Sequence, residues 1–321
     1  MEETMSRTEA KKTNAITTSR LAATIAFVGI SYVLPLVARG QPVPESVYPA
    51  PLPGDGMPFS ESRNSKSSDF WGDDRSTARG VGAAFEVRYS TDHIFRGFER
   101  FETETEDKLN LQLNGKIKLD LGKLPHPYIE GFVNIAESDP ISSFQEVRPT
   151  IGFDWALRPF ILSAGHTNYI FPDREALDTN EVFLKLQFDD SDILRRDRPL
   201  FSPYVLGVFD YDTYDGVYAE VGLRHSVSID SIDLVLTLEG HVSYVNGHDL
   251  FAVDPTSDDN SGFQHYQVGL SAVWGLNQLM NIPDRFGRWS VVGYLNYTDG
   301  IDNDLINTTQ LWGGAGFRLD F

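Results

Sequence analysis

Between Leu109 and Leu121, six large aliphatic residues (Leu109, Leu111, Leu113, Ile117, Leu119 and Leu121) alternate with Asn110, Gln112, Asn114, Lys116, Lys118 and Asp120. A period of two puts every apolar group on one face of an extended chain, whereas a helix would scatter them around its axis. The same phase returns in Val147, Ile151, Phe153 and Trp155, in Val217, Ala219, Val221 and Leu223, and in Ile232, Leu234, Leu236 and Leu238. At the C-terminal end Leu311, Gly313, Ala315, Phe317, Leu319 and Phe321 alternate with Gln310, Trp312, Gly314, Gly316, Arg318 and Asp320. One such strand fits a soluble sheet with a wet face. A long series of them, each of membrane-spanning length, is the pattern of a transmembrane barrel.

The series predicts strands near 83–97, 108–121, 127–136, 145–157, 160–170, 180–188, 203–211, 216–228, 231–245, 263–275, 287–298 and 309–321. About twelve strands is an even number, which brings both barrel ends to the same side of the membrane. The expected fold is therefore all-β, a transmembrane antiparallel β-barrel over 82–321. The segments around Phe160-Ile161-Leu162 and Tyr204-Val205-Leu206 fit least well, because they are apolar on both faces. Arg158-Pro159 and Ser228–Ser231 read as short periplasmic turns, and Asn246–Gly262 as a long outer loop. Asp189–Ser202 and Leu276–Phe286 are long for periplasmic connections, and the second is expected to hold a short helix. Tyr89, Phe95, Trp155, Phe188, Tyr244, Trp274, Trp289, Tyr297 and Phe321 fall near predicted strand ends, where amphipathic rings suit a girdle at headgroup level.

The first forty residues read as a signal peptide. Arg7, Lys11, Lys12 and Arg20 precede the apolar run Leu21–Val37, and Ala38-Arg39-Gly40 offers small residues for cleavage before Gln41. An uncleaved N-terminal anchor is the alternative. Residues 41–81, rich in Pro, Ser and Gly, read as a flexible periplasmic lead. The 321 residues include no cysteine, so thiol chemistry and disulfides are excluded. A formal net charge of −19 argues against a nucleic-acid partner, which needs basic surface to displace counterions.

The ending on Phe321 resembles the last strand of bacterial outer-membrane barrels, whose assembly machinery reads a terminal aromatic. Tyr89-Ser-Thr-Asp-His-Ile-Phe-Arg-Gly97 resembles the first-strand signature of a family of outer-membrane porins, the TorF-type or Gcw_chp family. Ala164-Gly165, Tyr169, Phe171-Pro172 and Asn180-Glu181-Val182-Phe183 are similar to a second part of its pattern. His93 departs from it, standing where the family has an aromatic. The resemblance spans 82–321 and implies a Gram-negative outer membrane and a barrel, more than any substrate.

Charge on the lipid face of a barrel costs about 2–4 kcal/mol per Arg or Lys at the midplane, so the alternating charges must face the interior. The pore-lining set expected on this ground is Glu86, Arg88, Lys116, Lys118, Arg148, Asp154, Lys185, Glu220, Arg224, Glu239, Arg318 and Asp320. Its mixed sign argues against strong anion selectivity. Two readings stay open: a hydrated channel, and a narrow interior plugged by paired charges. Acidic outer stretches (Phe101–Asp107, Asp210–Asp215, Asp254–Asn260, Asp299–Asp304) would bias a channel towards cations. None completes an EF-hand loop, so no metal or cofactor is expected. His166 with Ser163 is the nearest thing to a hydrolytic pair, and His241 beside Glu239 reads as a satisfied interior group. No nucleophile elbow or metalloprotease motif occurs, and no catalytic residue is expected.

The expected function is passive diffusion of small hydrophilic solutes with a weak cation bias. The alternative is a closed structural or surface-interaction barrel. Expected partners are outer-membrane lipid and lipopolysaccharide, the barrel-assembly machinery, and the solutes.

Overall fold

The computed structural model describes residues 80–99, 110–136, 144–172, 175–194, 199–252, 260–302, 304–306 and 309–321. The expected signal segment, nearly all of the expected lead, and the acidic stretches 101–107 and 254–259 lie outside the described residues.

The strands are β1 (Val81–Ser90), β2 (Ile94–Phe95), β3 (Phe98–Glu99), β4 (Asn110–Leu119), β5 (His126–Ala136), β6 (Phe144–Leu157) and β7 (Phe160–Tyr169). They continue with β8 (Thr179–Phe188), β9 (Phe201–Asp210), β10 (Gly216–Ile229), β11 (Leu234–Asn246), β12 (Gly262–Gly275), β13 (Arg288–Gly300) and β14 (Gln310–Asp320). β1 and β4 to β14 form a closed barrel in which each strand is antiparallel to its neighbours in sequence. β14 pairs with β1 to shut it, Ala84 opposite Asp320 and Ser90 opposite Gly314. Phe321 extends that seam beyond β14, its N–H donating to the Ala83 carbonyl at 2.7 Å and its own carbonyl accepting from Ala83 N–H at 3.1 Å. Closure leaves no wall strand with an unpaired edge, the condition for a sheet to cross lipid.

The outer face is a belt of exposed aliphatics. Val221, Leu311 and Ile151 are each more than 60% exposed, and Leu238, Leu270 and Leu295 stand in direct register across three strands. So much apolar surface is incompatible with water and matches hydrocarbon. Aromatic rings flank the belt. At the end carrying Val81 and Asp320, the indole N–H groups of Trp155, Trp274 and Trp289 donate to the carbonyls of Lys123, Ile232 and Phe286 in the adjoining turns. Tyr89, Tyr211, Tyr244 and Tyr297 are exposed at the far end.

The clearest departure from the sequence reading is at the first strand. β1 stops at Ser90 rather than Gly97, and it begins at Val81, one residue before the expected start of the barrel. Thr91 N–H makes one more bond, to the Gly313 carbonyl, after which β2 and β3 form a separate two-stranded hairpin. Phe95 accordingly leaves the expected girdle: it is fully buried among Tyr169, Phe171, Tyr218, Phe251 and Leu305. β11 also starts later than expected, because Asp230–Ile232 form a 3-10 turn and Asp233 has a positive φ of 52°. The expected short helix is Asn277–Met280, and a second occupies Ser191–Leu194; both connections sit at the end shared by Val81 and Asp320.

Candidate functional site

The site is the barrel interior. All twelve expected pore-lining residues lie on the inner face, eleven of them buried and Glu239 partly so. Strand register brings opposite charges together. Lys116 faces Glu130 across β4 and β5, with 3.4 Å between charged atoms, and its ammonium sits 3.6 Å from the centre of the Tyr128 ring. Arg224 faces Glu239 across β10 and β11 and donates to it at 2.9 Å. Lys118 donates to Asp154 at 2.7 Å, and Ser163 donates to the other carboxylate oxygen at 2.7 Å. Arg88 lies 3.4 Å from Glu86 and donates to Gln112 at 2.7 Å, Arg148 lies 3.0 Å from Glu146, and Arg318 donates to Asp320 at 2.7 Å. Lys185 lies over the Tyr204 ring at 4.3 Å. Glu220 accepts from the Tyr218 hydroxyl at 2.6 Å.

The interior is not only charged. Tyr204, Leu206 and Val208 on β9 point inward and join Phe183, Phe171, Phe251 and Phe95 in one buried apolar cluster. That explains why the segment around Tyr204-Val205-Leu206 was apolar on both faces: one face meets lipid and the other meets this cluster.

The hairpin supplies the residues that sequence reasoning missed. Arg96 and Gly97 form its two-residue turn with φ of 48° and 81°, the pair of positive values that a type I′ hairpin turn needs. The Arg96 guanidinium grips both Glu181 oxygens, at 2.6 and 2.7 Å, and lies against the rings of Phe95 (4.7 Å) and Tyr218 (4.6 Å). Burial works against the charge on Arg96, but the Glu181 carboxylate together with the Tyr169 and Tyr218 hydroxyls outweighs it, and the guanidinium pKa lies above its ordinary value. His93 Nε2 meets Glu146 at 2.7 Å, and its ring stacks on Phe132. Arg88 engages the Gln112 carbonyl oxygen, which leaves the Gln112 amide N–H to donate to His93 Nδ1 at 3.2 Å; Nε2 of that ring then carries the proton towards Glu146. Around the hairpin base, Arg88, Asp92, His93, Gln112, Phe132 and Trp312 enclose a water-sized hollow.

Two groups singled out in the sequence stand differently in the fold. Ser163 faces inward and His166 outward, bonding the Tyr211 hydroxyl at 2.7 Å, so the two do not form a hydrolytic pair. Asp210 is not a solvated loop carboxylate. It is fully buried, accepting from the Thr179 hydroxyl and from the backbone N–H groups of Asp212 and Tyr214. Its carboxylate, Glu181 and His248 bring ligand-type atoms within 4.8 Å of one another. Within this group both Glu181 oxygens are already taken by the Arg96 guanidinium.

A closed antiparallel wall with an aliphatic belt outside and paired charges inside defines a transmembrane β-barrel. No family model matches the chain and no curated protein matches its sequence, so the family resemblance stands on its quoted residues alone. Solved structures do align. The COG4313 outer membrane channel from Pseudomonas putida F1 aligns at 11% identity and TM-score 0.44, over 77% of this chain and 96% of that one. A KdgM porin aligns at 10% and 0.43, over 74% and 99%, and a NanC porin at 9% and 0.44, over 73% and 98%. The assignment as a transmembrane barrel rests on the two faces of this chain's own wall.

Proposed function

We propose that the protein is an outer-membrane channel for small hydrophilic solutes, narrowed at one end by its own inward hairpin. The observation behind this reading is the contrast between the two faces: hydrocarbon-compatible outside, and charged from Lys118 and Asp154 to Arg318 and Asp320 inside. Twelve strands enclose more space than the side-chain-filled barrels of eight. A mixed lining repels neither ion sign strongly, and exposed carboxylates at the far rim (Asp212, Asp215 and Asp249) raise the local cation concentration, giving a weak cation bias. The aromatic girdles orient the barrel in lipid with lipopolysaccharide around its outer rim.

The hairpin favours a second reading, a closed structural or surface-interaction barrel, because Phe95 and Arg96 fill lumen that an open porin would leave to water. Folded protein in a planar bilayer separates the two. Stepwise currents with a reversal potential shifted towards the cation value support the channel. Silence from heat-modifiable protein, persisting when the hairpin is loosened by Arg96→Ala, sinks it.

A further inference from the structure

Three tryptophans stand on the lipid face at the end shared by Val81 and Asp320. Trp155 continues the row of Ile151 and Phe153 on β6, Trp274 that of Val268 and Leu270 on β12, and Trp289 that of Leu295 and Val291 on β13. An indole at a membrane edge ordinarily keeps its N–H for water and headgroups. Here all three N–H groups donate instead to turn carbonyls, of Lys123 at 3.2 Å, Ile232 at 2.9 Å and Phe286 at 3.2 Å. Each bond fixes a turn directly beyond the indole, and each turn presents an apolar side chain.

Leu124 follows Lys123, while Ile232 and Phe286 supply the accepting carbonyls themselves; all three side chains are more than half exposed. Leu279 and Met280, on the short helix Asn277–Met280, are as exposed as Ile151 and Val221 in the belt. That helix is fastened to the start of β13. The buried Asn277 amide donates to the Gly287 carbonyl at 2.9 Å, its side-chain oxygen accepts from Trp289 N–H at 2.8 Å, and Leu276 N–H reaches the Trp289 carbonyl at 2.8 Å. On the β8–β9 connection Ile193 and Leu194 are exposed as well. Apolar tips thus recur around the rim, continuous with the belt above them. Gln278, Asn281, Asp284 and Arg285 are exposed among them. Apolar and polar groups side by side suit the boundary between acyl chains and headgroups, where amphipathic segments lie about 5–10 Å deep.

We propose that this rim is a lipid-docking collar. Leu124, Ile232, Leu279, Met280 and Phe286 insert at the acyl–headgroup boundary of the phospholipid leaflet on the side of the chain termini, and the bilayer edge lies beyond the tryptophan ring rather than at it. The collar accounts for the unusual length of the Leu276–Gly287 connection, which a tight turn would not need: it carries apolar groups out past the wall. The proposal rests on the transmembrane reading of the wall and is independent of whether the lumen conducts.

A chain without cysteine allows a direct test. Leu124→Cys, Leu279→Cys and Phe286→Cys are each labelled with a nitroxide, folded into phospholipid vesicles, and measured for collision with oxygen, which enters lipid, and with a water-soluble nickel chelate. Leu270→Cys in the belt and Asp249→Cys at the far rim set the lipid and water limits. At the three tips the oxygen-to-nickel ratio should exceed that of Asp249→Cys by about threefold or more, as interfacial insertion requires. Heat-modifiable migration confirms folding; should Leu279→Cys not fold, Gln278→Cys, its exposed polar neighbour, carries the label to the same place. Tips that read as water while Leu270→Cys reads as lipid overturn the collar alone and leave the rim to a soluble partner. A Leu270→Cys label that itself reads as water overturns the transmembrane wall, and the collar with it.

Discussion

Arg96 is the residue on which the interior turns. A buried guanidinium held by two carboxylate oxygens and two aromatic faces leaves Glu181 stranded if it is removed, and breaking a buried pair from one side costs about 3–5 kcal/mol. Arg96→Ala should lower the midpoint of thermal unfolding in detergent by an amount consistent with that loss. Arg96→Lys should fall between, because an ammonium cannot reproduce the two-pronged contact. His93 was not legible as an interior group, and Arg96, although in the inward phase of Glu86 and Arg88, was not legible as the partner of Glu181. In sequence both sit where a strand reading gives each a face, and only the turn after Ser90 moves them into the lumen. Glu181 and Asp210 were hidden for a related reason: a carboxylate near a strand end looks solvated until its partner arrives from elsewhere in the chain.

At the scale of elements, wall and hairpin obey different rules. The wall strands alternate because each has one face in lipid, and eleven of the twelve lie close to where alternation put them. Leu270→Arg, at the middle of the belt between Leu238 and Leu295, should cost about 2–4 kcal/mol in a folding titration into lipid. A cost near zero would mean that this face is not in hydrocarbon. The hairpin depends on conformation instead. Gly97 has φ of 81° and no room for a Cβ, so Gly97→Ala should unseat the turn. Single-channel recording should then show larger or longer openings than the wild type; unchanged conductance would mean that the hairpin does not limit passage. Two-residue strands lie below what a periodic pattern can register, which is why β2 and β3 were read as an extension of β1.

At the scale of the whole molecule, everything depends on closing the ring between residues far apart in sequence. Phe321 adds two backbone bonds to the β1–β14 seam, one in each direction. Deleting it should reduce the fraction of heat-modifiable barrel recovered from outer membranes, and Phe321→Ala should do less harm, because it keeps both backbone bonds and loses only the ring. Equal yields for deletion, alanine and wild type would remove Phe321 from any part in assembly.

The sequence by itself determined the wall: the strands, their count, the face each turns to lipid and the twelve charges each turns inward. All of these follow from a period of two, which is a local property of the chain. The filling of the barrel was decided only by tertiary structure. Which charges pair across strands, as Lys116 with Glu130 and Arg224 with Glu239, where β1 gives up its partner and how Arg96 finds Glu181 depend on strand register around a closed ring. Neighbours in that ring are set by hydrogen bonding between segments, and alternation along any single segment carries no information about them.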